Sequence, residues 1–214
     1  LRDALEESRE RTERRRLLDA FVSLGPAAYE MAGGMVLDSR WYVVRNGVTI
    51  LGELGGHEAM ALLVGTLANK DPRVRRESIM ALTKFGGPDA EALVLGMLDD
   101  GAPQVRAAAC RVLGAMGSQR AVKSLLPLLQ DEDRDTQVEC LQALGHIADP
   151  AAVQPILKKA GGGIFSRPSR EVRIAAFRAL AGIGTPEALR AVRKGLKDGD
   201  EAVRTICKAL IGVD

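Results

Sequence analysis

Aromatic residues are scarce in this chain of 214 residues: one Trp, two Tyr and four Phe, or 3% of the whole. That scarcity argues against a surface that stacks bases or cages cations, since both need several exposed π-faces. No apolar run approaches the roughly 20 residues of a membrane-spanning helix, and the charged N-terminal stretch lacks the form of a signal peptide. A cytoplasmic setting is therefore expected. Cysteine is limited to Cys110, Cys140 and Cys207. Three cysteines cannot all pair and none stand in CxxC spacing, so reduced core residues are expected rather than a disulfide or zinc frame. An excess of one charge is also missing: 30 basic against 28 acidic residues leave a formal +2. A wholesale nucleic-acid binder or an acidic tail is not indicated, and any electrostatic preference must be local. The first residue is Leu1 and not Met, as expected of a processed chain or a piece of a longer one.

Catalytic signatures are absent as well. No Ser/His/Asp constellation, P-loop, GxGxxG after a strand or nucleophile elbow occurs, and no strand is expected. Acidic pairs such as Asp99-Asp100 and the run Asp131-Glu132-Asp133 fall at turns, where they read as N-caps and solvated turn residues rather than acid/base pairs. No catalytic residue, metal site or cofactor is expected.

What the chain does have is Ala, Leu, Val and Gly in a repeating order. The segments DPRVRRESIMALTKFGG (71–87), APQVRAAACRVLGAMGS (102–118) and SREVRIAAFRALAGIGT (169–185) align on Val74, Val105 and Val172. Val43, Thr136 and Val203 complete the series, with separations of 31, 31, 31, 36 and 31 residues. Eight residues after the anchors stand Leu51, Leu82, Leu113, Leu144, Leu180 and Ile211; twelve after the first five stand Gly55, Gly86, Gly117, Ala148 and Gly184. The apolar spacing within a segment, as in Val74, Ile79, Leu82 and Phe85, occupies one helical face, and the small residue ends that helix. A second helix follows, beginning at Pro88, Ser118, Pro150 or Pro186. Neither helix can hide its stripe alone, so stacking on the neighbouring repeat must complete the burial. The expected fold is an all-α solenoid with repeats at about 40–70, 71–101, 102–132, 133–168, 169–199 and a partial 200–214. Residues 1–39 read as a divergent capping helix pair, with the charged LRDALEESRERTERRR as an exposed helix or a connector to an upstream domain.

The D-P-x-V-R opening and A-L-x-x-x-G ending resemble the short bacterial and archaeal HEAT repeats, including the phycobilisome-lyase-like class. The resemblance covers about residues 40–214 and implies an α-α superhelix; it leaves function open, because this fold hosts many jobs. Some HEAT-like enzymes, the deoxyhypusine hydroxylases, bind a metal pair through repeated His-Glu dipeptides. Here there is one such dipeptide, His57-Glu58, and His146 is followed by Ile147, too few ligands for a site of that type.

Four constellations could carry function. Arg75, Arg106, Arg173 and Arg204 follow their anchors by one residue, and Asp71, Asp133 and Asp200 precede theirs by three. In HEAT-like proteins such pairs form a ladder that ties adjacent repeats, and a basic stripe for phosphate is the competing reading. On the second helices, the column through Lys194 reads Gly34, Gly65, Gly96, Pro127, Lys158, Lys194, and the column through Arg190 reads Glu30, Ala61, Ala92, Lys123, Gln154, Arg190. If second helices line the concave side, as the resemblance implies, that surface is smooth in its first half and cationic in its second, with Lys123, Lys158, Lys159, Arg190, Arg193, Lys194 and Lys197. Its complement is an acidic helix or peptide, or phosphate; the competing reading is plain solvation and dipole complementarity at helix ends. The five extra residues in Gly161–Ser169 place Ile164-Phe165 between Gly and Pro, either an apolar finger for a partner or tolerated length variation. Trp41 either caps the seam to the N-terminal pair or serves as a partner contact.

The leading expectation is a non-enzymatic scaffold that binds a protein partner along the second-helix face. The alternatives are a lyase-like subunit or chaperone for tetrapyrrole attachment, and binding of nucleic-acid phosphates by the basic C-terminal half.

Overall fold

The computed structural model describes residues 11–161 and 167–212. Among the described residues all regular structure is helical. The chain divides into two compact units, Leu1–Val94 and Leu95–Asp214.

In the first unit, α1 (Arg11–Val22) and α2 (Pro26–Val36) precede α3 (Trp41–Leu54), α4 (Gly56–Thr66), α5 (Pro72–Leu82) and α6 (Gly87–Leu95), the last running to the unit boundary. Phe21, Met35, Val43, Leu51, Leu63 and Val74 are buried together, with Leu17, Leu18 and Trp41 packed at the edge. In the second unit, α7 (Pro103–Ala115), α9 (Arg134–Ile147) and α11 (Arg170–Ile183) are the first helices of successive repeats and α13 (Glu201–Ile211) follows them. The second limbs are α8 (Val122–Leu125), α10 (Val153–Gly161) and α12 (Pro186–Gly195). The limb around α8 is not one α-helix: 3₁₀ turns over Gln119–Ala121 and Leu126–Gln130 flank a single α turn. Pro127 withholds the N–H that would continue the α ladder, and the equivalent stretch one repeat earlier, Gly96–Asp99, is 3₁₀ as well without a proline.

Periodicity and burial coincide. Val43, Val74, Val105, Thr136 and Val203 are fully buried and Val172 nearly so; Leu51, Leu82, Leu113, Leu144 and Leu180 are fully buried as well. A further column lies sixteen residues after the anchors: Ala59, Ala90, Ala121, Ala152 and Ala188, all without solvent exposure. A methyl group at that place lets the second limb sit close to its own first helix. Thr136, the one polar anchor, spends its hydroxyl on Pro103 O at 3.2 Å and Asp133 Oδ2 at 2.9 Å, so its burial leaves no orphaned group.

First helices stack on each other through nearly bare backbone. A Cβ on Gly114 would lie 2.7 Å from Ala143 Cα, one on Gly145 2.7 Å from Ala179 Cα, and one on Gly182 2.8 Å from Gly145 O. In the first unit a Cβ on Gly52 would stand 3.0 Å from Ala81 Cβ. These glycines are helical, where Gly is less stable than Ala by about 1 kcal/mol, so close approach is the reason for them. The helices then end in left-handed backbone: Gly55, Gly86, Gly117, Ala148 and Gly184 all have φ between 58° and 70°. Ala148 adopts φ 58° with a Cβ that disfavours it.

Two substitutions on α9 have opposite outcomes in urea unfolding. Gly145→Ala forces a methyl into Ala179 and lowers stability by about 1–3 kcal/mol. Ala148→Gly relieves the left-handed strain and raises stability by about 0.5–1 kcal/mol.

Candidate binding surface

The anchor-following arginines point into the turns between repeats. Arg75 Nη1 donates to Asn69 O at 2.8 Å, Arg106 Nη1 to Asp100 O at 2.8 Å, and Arg204 Nη1 to Asp198 O at 2.8 Å. Arg173 Nη1 takes Pro168 O at 3.0 Å. Arg106 also grips Asp131 with two bonds, Nε to Oδ2 and Nη2 to Oδ1, each 2.7 Å. Arg173 Nη2 lies 3.4 Å from Asp198 Oδ1 and 3.5 Å from Asp200 Oδ2.

The carboxylate facing Arg106 is therefore Asp131, not Asp133. Asp133 is an N-cap that accepts from Thr136 N at 2.7 Å. Asp71 caps α5 through Arg73 N at 2.9 Å and pairs with the Arg73 side chain at 2.6 Å. Asp200 caps α13 through Ala202 N at 3.0 Å and also receives Arg170 Nε at 2.7 Å. The inter-repeat carboxylates stand five residues before an anchor, in the column Asp38, Asn69, Asp100, Asp131, Arg167, Asp198. In five of these six the side chain accepts the N–H two residues on: Arg40, Asp71, Ala102, Asp133 and Asp200, at 2.8–2.9 Å. This Asx turn bends the chain from one repeat into the next. Sequence reading passed over the column because its members look like ordinary loop polar residues; their recurrence at the repeat period was the available signal.

Hydrogen bonds from Arg106 and from the Asp133 amide hold the Asp131 carboxyl below its usual range, the Arg106 contribution being the larger. The same pair raises Arg106 above the usual guanidinium value. Both side chains are largely removed from water, at 17% and 5% exposure.

The second limbs behave differently. Lys123 on α8, Lys158 on α10, Arg190, Arg193 and Lys194 on α12, and Lys197 just beyond it are exposed, while Lys159 is half-buried. None of these seven side chains has an ion pair or hydrogen bond among the described residues. On the first helices, by contrast, Arg111, Arg134 and Arg170 meet carboxylates of the next repeat, and Arg106 and Arg173 meet aspartates of the turn that leads into it. The cations of α12 are held outward because Ala188, Val192 and Gly195 are buried beneath them; a Cβ on Gly195 would come within 3.0 Å of the Phe177 ring. In the first unit the same column is open: a Cβ on Gly34 or Gly65 would meet nothing within 4 Å.

Trp41 packs against the core of the first unit, and its ring carries the Arg73 guanidinium at 3.7 Å and that of Arg45 at 5.5 Å. Phe165 and Ile164 lie outside the described residues. His57 and His146 are exposed and belong to different units. Among the described residues no three His, Cys, Asp or Glu side chains converge as metal ligands, and no helix is long and apolar enough to cross a membrane. The three cysteines are buried. Burial pushes the Cys207 thiol up to about 11; Cys140 is raised by its neighbour Cys110 and by burial.

A family model for HEAT repeats matches residues 34–102, 90–161 and 163–211. The chain belongs to the HEAT-repeat family. No curated protein matches it. Among solved structures this HEAT-repeat chain is similar to the YibA protein of Escherichia coli, at 15% identity and TM-score 0.65, covering 96% of this chain and 76% of that one. It is also similar to a designed armadillo repeat protein in complex with the peptide (KR)4, at 19% identity and TM-score 0.56, covering 99% and 98% of the two chains. A third likeness is to the complex of CpcE and CpcF of phycocyanin lyase from a Nostoc species, at 21% identity and TM-score 0.52, with 99% and 85% covered. At such identities the likeness is one of fold: an all-α superhelix of HEAT and armadillo type.

Removing the guanidinium from the Arg106–Asp131 pair should destabilise the protein through the carboxylate left behind. Arg106→Met is expected to lower stability by about 2–3 kcal/mol at neutral pH. Because the folded Asp131 sits below the unfolded value of about 3.9, its contribution is present above that pH and is lost as pH falls through the folded value. Urea unfolding across pH should show the gap between wild type and Arg106→Met closing below about pH 4.

Proposed function

We propose that this HEAT-repeat chain is a non-enzymatic scaffold that holds an acidic protein segment along the second-limb face of its C-terminal unit. One observation carries the reading: the cations of that face have no ion pair among the described residues, whereas most of those on the first helices of the same unit meet carboxylates of the following turn or repeat. Arg178 and Lys208 are exposed first-helix exceptions. A surface whose charges are unsatisfied at home gains most from a partner of opposite sign, in both rate and specificity. The rise of one repeat sets a spacing between successive cations that an extended or helical segment can follow. The designed armadillo protein bound to (KR)4 supports this as a mode of repeat-protein recognition, with the charges exchanged: there the peptide is basic. In the first unit the corresponding column, Gly34 and Gly65, offers backbone-level access of its own.

The test is capture of protein partners by wild type and by a Lys158→Glu/Arg190→Glu/Lys194→Glu triple variant, both checked for helicity. Recovery of acidic partners should fall at least tenfold in the variant and weaken with added salt. Equal recovery would discard the surface, and tight binding of duplex DNA with a steep salt slope would replace the reading by one of phosphate backbones.

A further inference from the structure

The seam between the repeats anchored at Thr136 and Val172 breaks the charge order of the others. Within the second unit, the arginine one after an anchor faces an aspartate five before the next anchor: Arg106 with Asp131, and Arg173 with Asp198. At this seam the first position is Gln137 and the second is Arg167. The carboxylate is gone and a cation stands in its place.

The neighbours do not restore the balance. Gln137 Nε2 donates to Asp131 O at 2.5 Å, and Arg167 reaches forward to Asp198 at 2.8 Å, a carboxylate already shared with Arg173. A cavity of about 710 Å³ opens at the seam, with Arg134, Lys158, Lys159 and Arg167 among its walls and no acidic residue. Arg134 has Glu171 at 3.7 Å outside it, a pair exposed on both sides and so weak. Lys158 and Lys159 have no partner among the described residues, and burial pushes the Lys159 ammonium below its usual value. Leu129, Pro155 and Val172 supply an apolar lining.

We propose that this cavity receives an oxyanion in place of the missing inter-repeat carboxylate: a carboxylate or phosphate borne on a side chain of the bound protein segment. Lys158, Lys159 and Arg134 supply charge-assisted donors, Gln137 a neutral one, and the apolar lining takes the aliphatic stem. The proposal deepens the scaffold reading, on which it rests for the segment that delivers the anion, by naming the residue class that the C-terminal unit reads.

The experiment is calorimetric titration of the full chain with four probes: inorganic phosphate, a short peptide with one central glutamate, the same peptide with phosphoserine, and the glutamine version. The glutamate and phosphoserine peptides should bind and the glutamine peptide should not. Restoring the ladder with Gln137→Arg/Arg167→Asp should weaken anionic peptides at least tenfold, with thermal unfolding confirming a folded variant. If that variant does not fold, Lys158→Gln/Lys159→Gln is expected to give the same loss. An Arg190→Glu/Lys194→Glu variant should keep these short peptides within about twofold while losing the longer acidic partner, which separates failure of this site from failure of the wider face. Phosphate binding without either anionic peptide would overturn the side-chain assignment. Undiminished binding in the restored variant, or no binding of any anion, would overturn the site.

Discussion

Close contact between first helices is the constraint on which the rest of the second unit depends. Where Gly114 meets Ala143 and Gly145 meets Ala179, backbone rather than side chain sets the separation. That closeness fixes where the anchors and leucines of one repeat fall on the next, and those residues are buried in each repeat of the unit. It also explains how the chain builds a core with so few aromatics: small side chains at short range achieve the close packing that rings would otherwise supply. The second limbs, held in by alanines at the sixteenth position, are then free to vary on their outer surface.

Much of this was legible in the residues. Anchors at 43, 74, 105, 136, 172 and 203 placed the buried face correctly, and the small residues twelve places on ended the first helices as read, down to the left-handed Ala148. Asp200, which receives Arg170 of the preceding repeat, was legible from its cap position, but Asp131 and Asp198 were not, because local cap grammar favours an aspartate directly before a helix and says nothing about which side chain a distant guanidinium will reach. Cap grammar puts Asp131 in solvent and Asp133 in the ladder; folding reverses them, since the Asp131 Oδ1 that closes the Asx turn also accepts from Arg106 Nη2, with Oδ2 left for Arg106 Nε. The composite second limb at Leu126–Gln130 was also unforeseen, although Pro127 stood in the sequence. A proline there is compatible with α-helix at a first turn and with 3₁₀ further along, and only the register of the preceding turn decides.

Charge is treated in two ways within the second unit. On the first helices most arginines are tied to carboxylates and to turn carbonyls, where they organise the passage from repeat to repeat and present little free potential. On α10 and α12 the cations have no ion pair among the described residues and stand above buried alanine, valine and isoleucine. The small formal charge of +2 on the chain as a whole thus conceals a local excess, and the distinction lies in partnering rather than in residue count.

The longer spacing between the anchors Thr136 and Val172 has a consequence of its own. The five additional residues fall between α10 and α11, yet Gly145 approaches Ala179 as closely as Gly114 approaches Ala143. The register of the stack is thus indifferent to how much chain is spent at this corner. It is a natural splice point, where foreign loops could be grafted, or lineage-specific ones could accumulate, without resetting the geometry of the helices on either side.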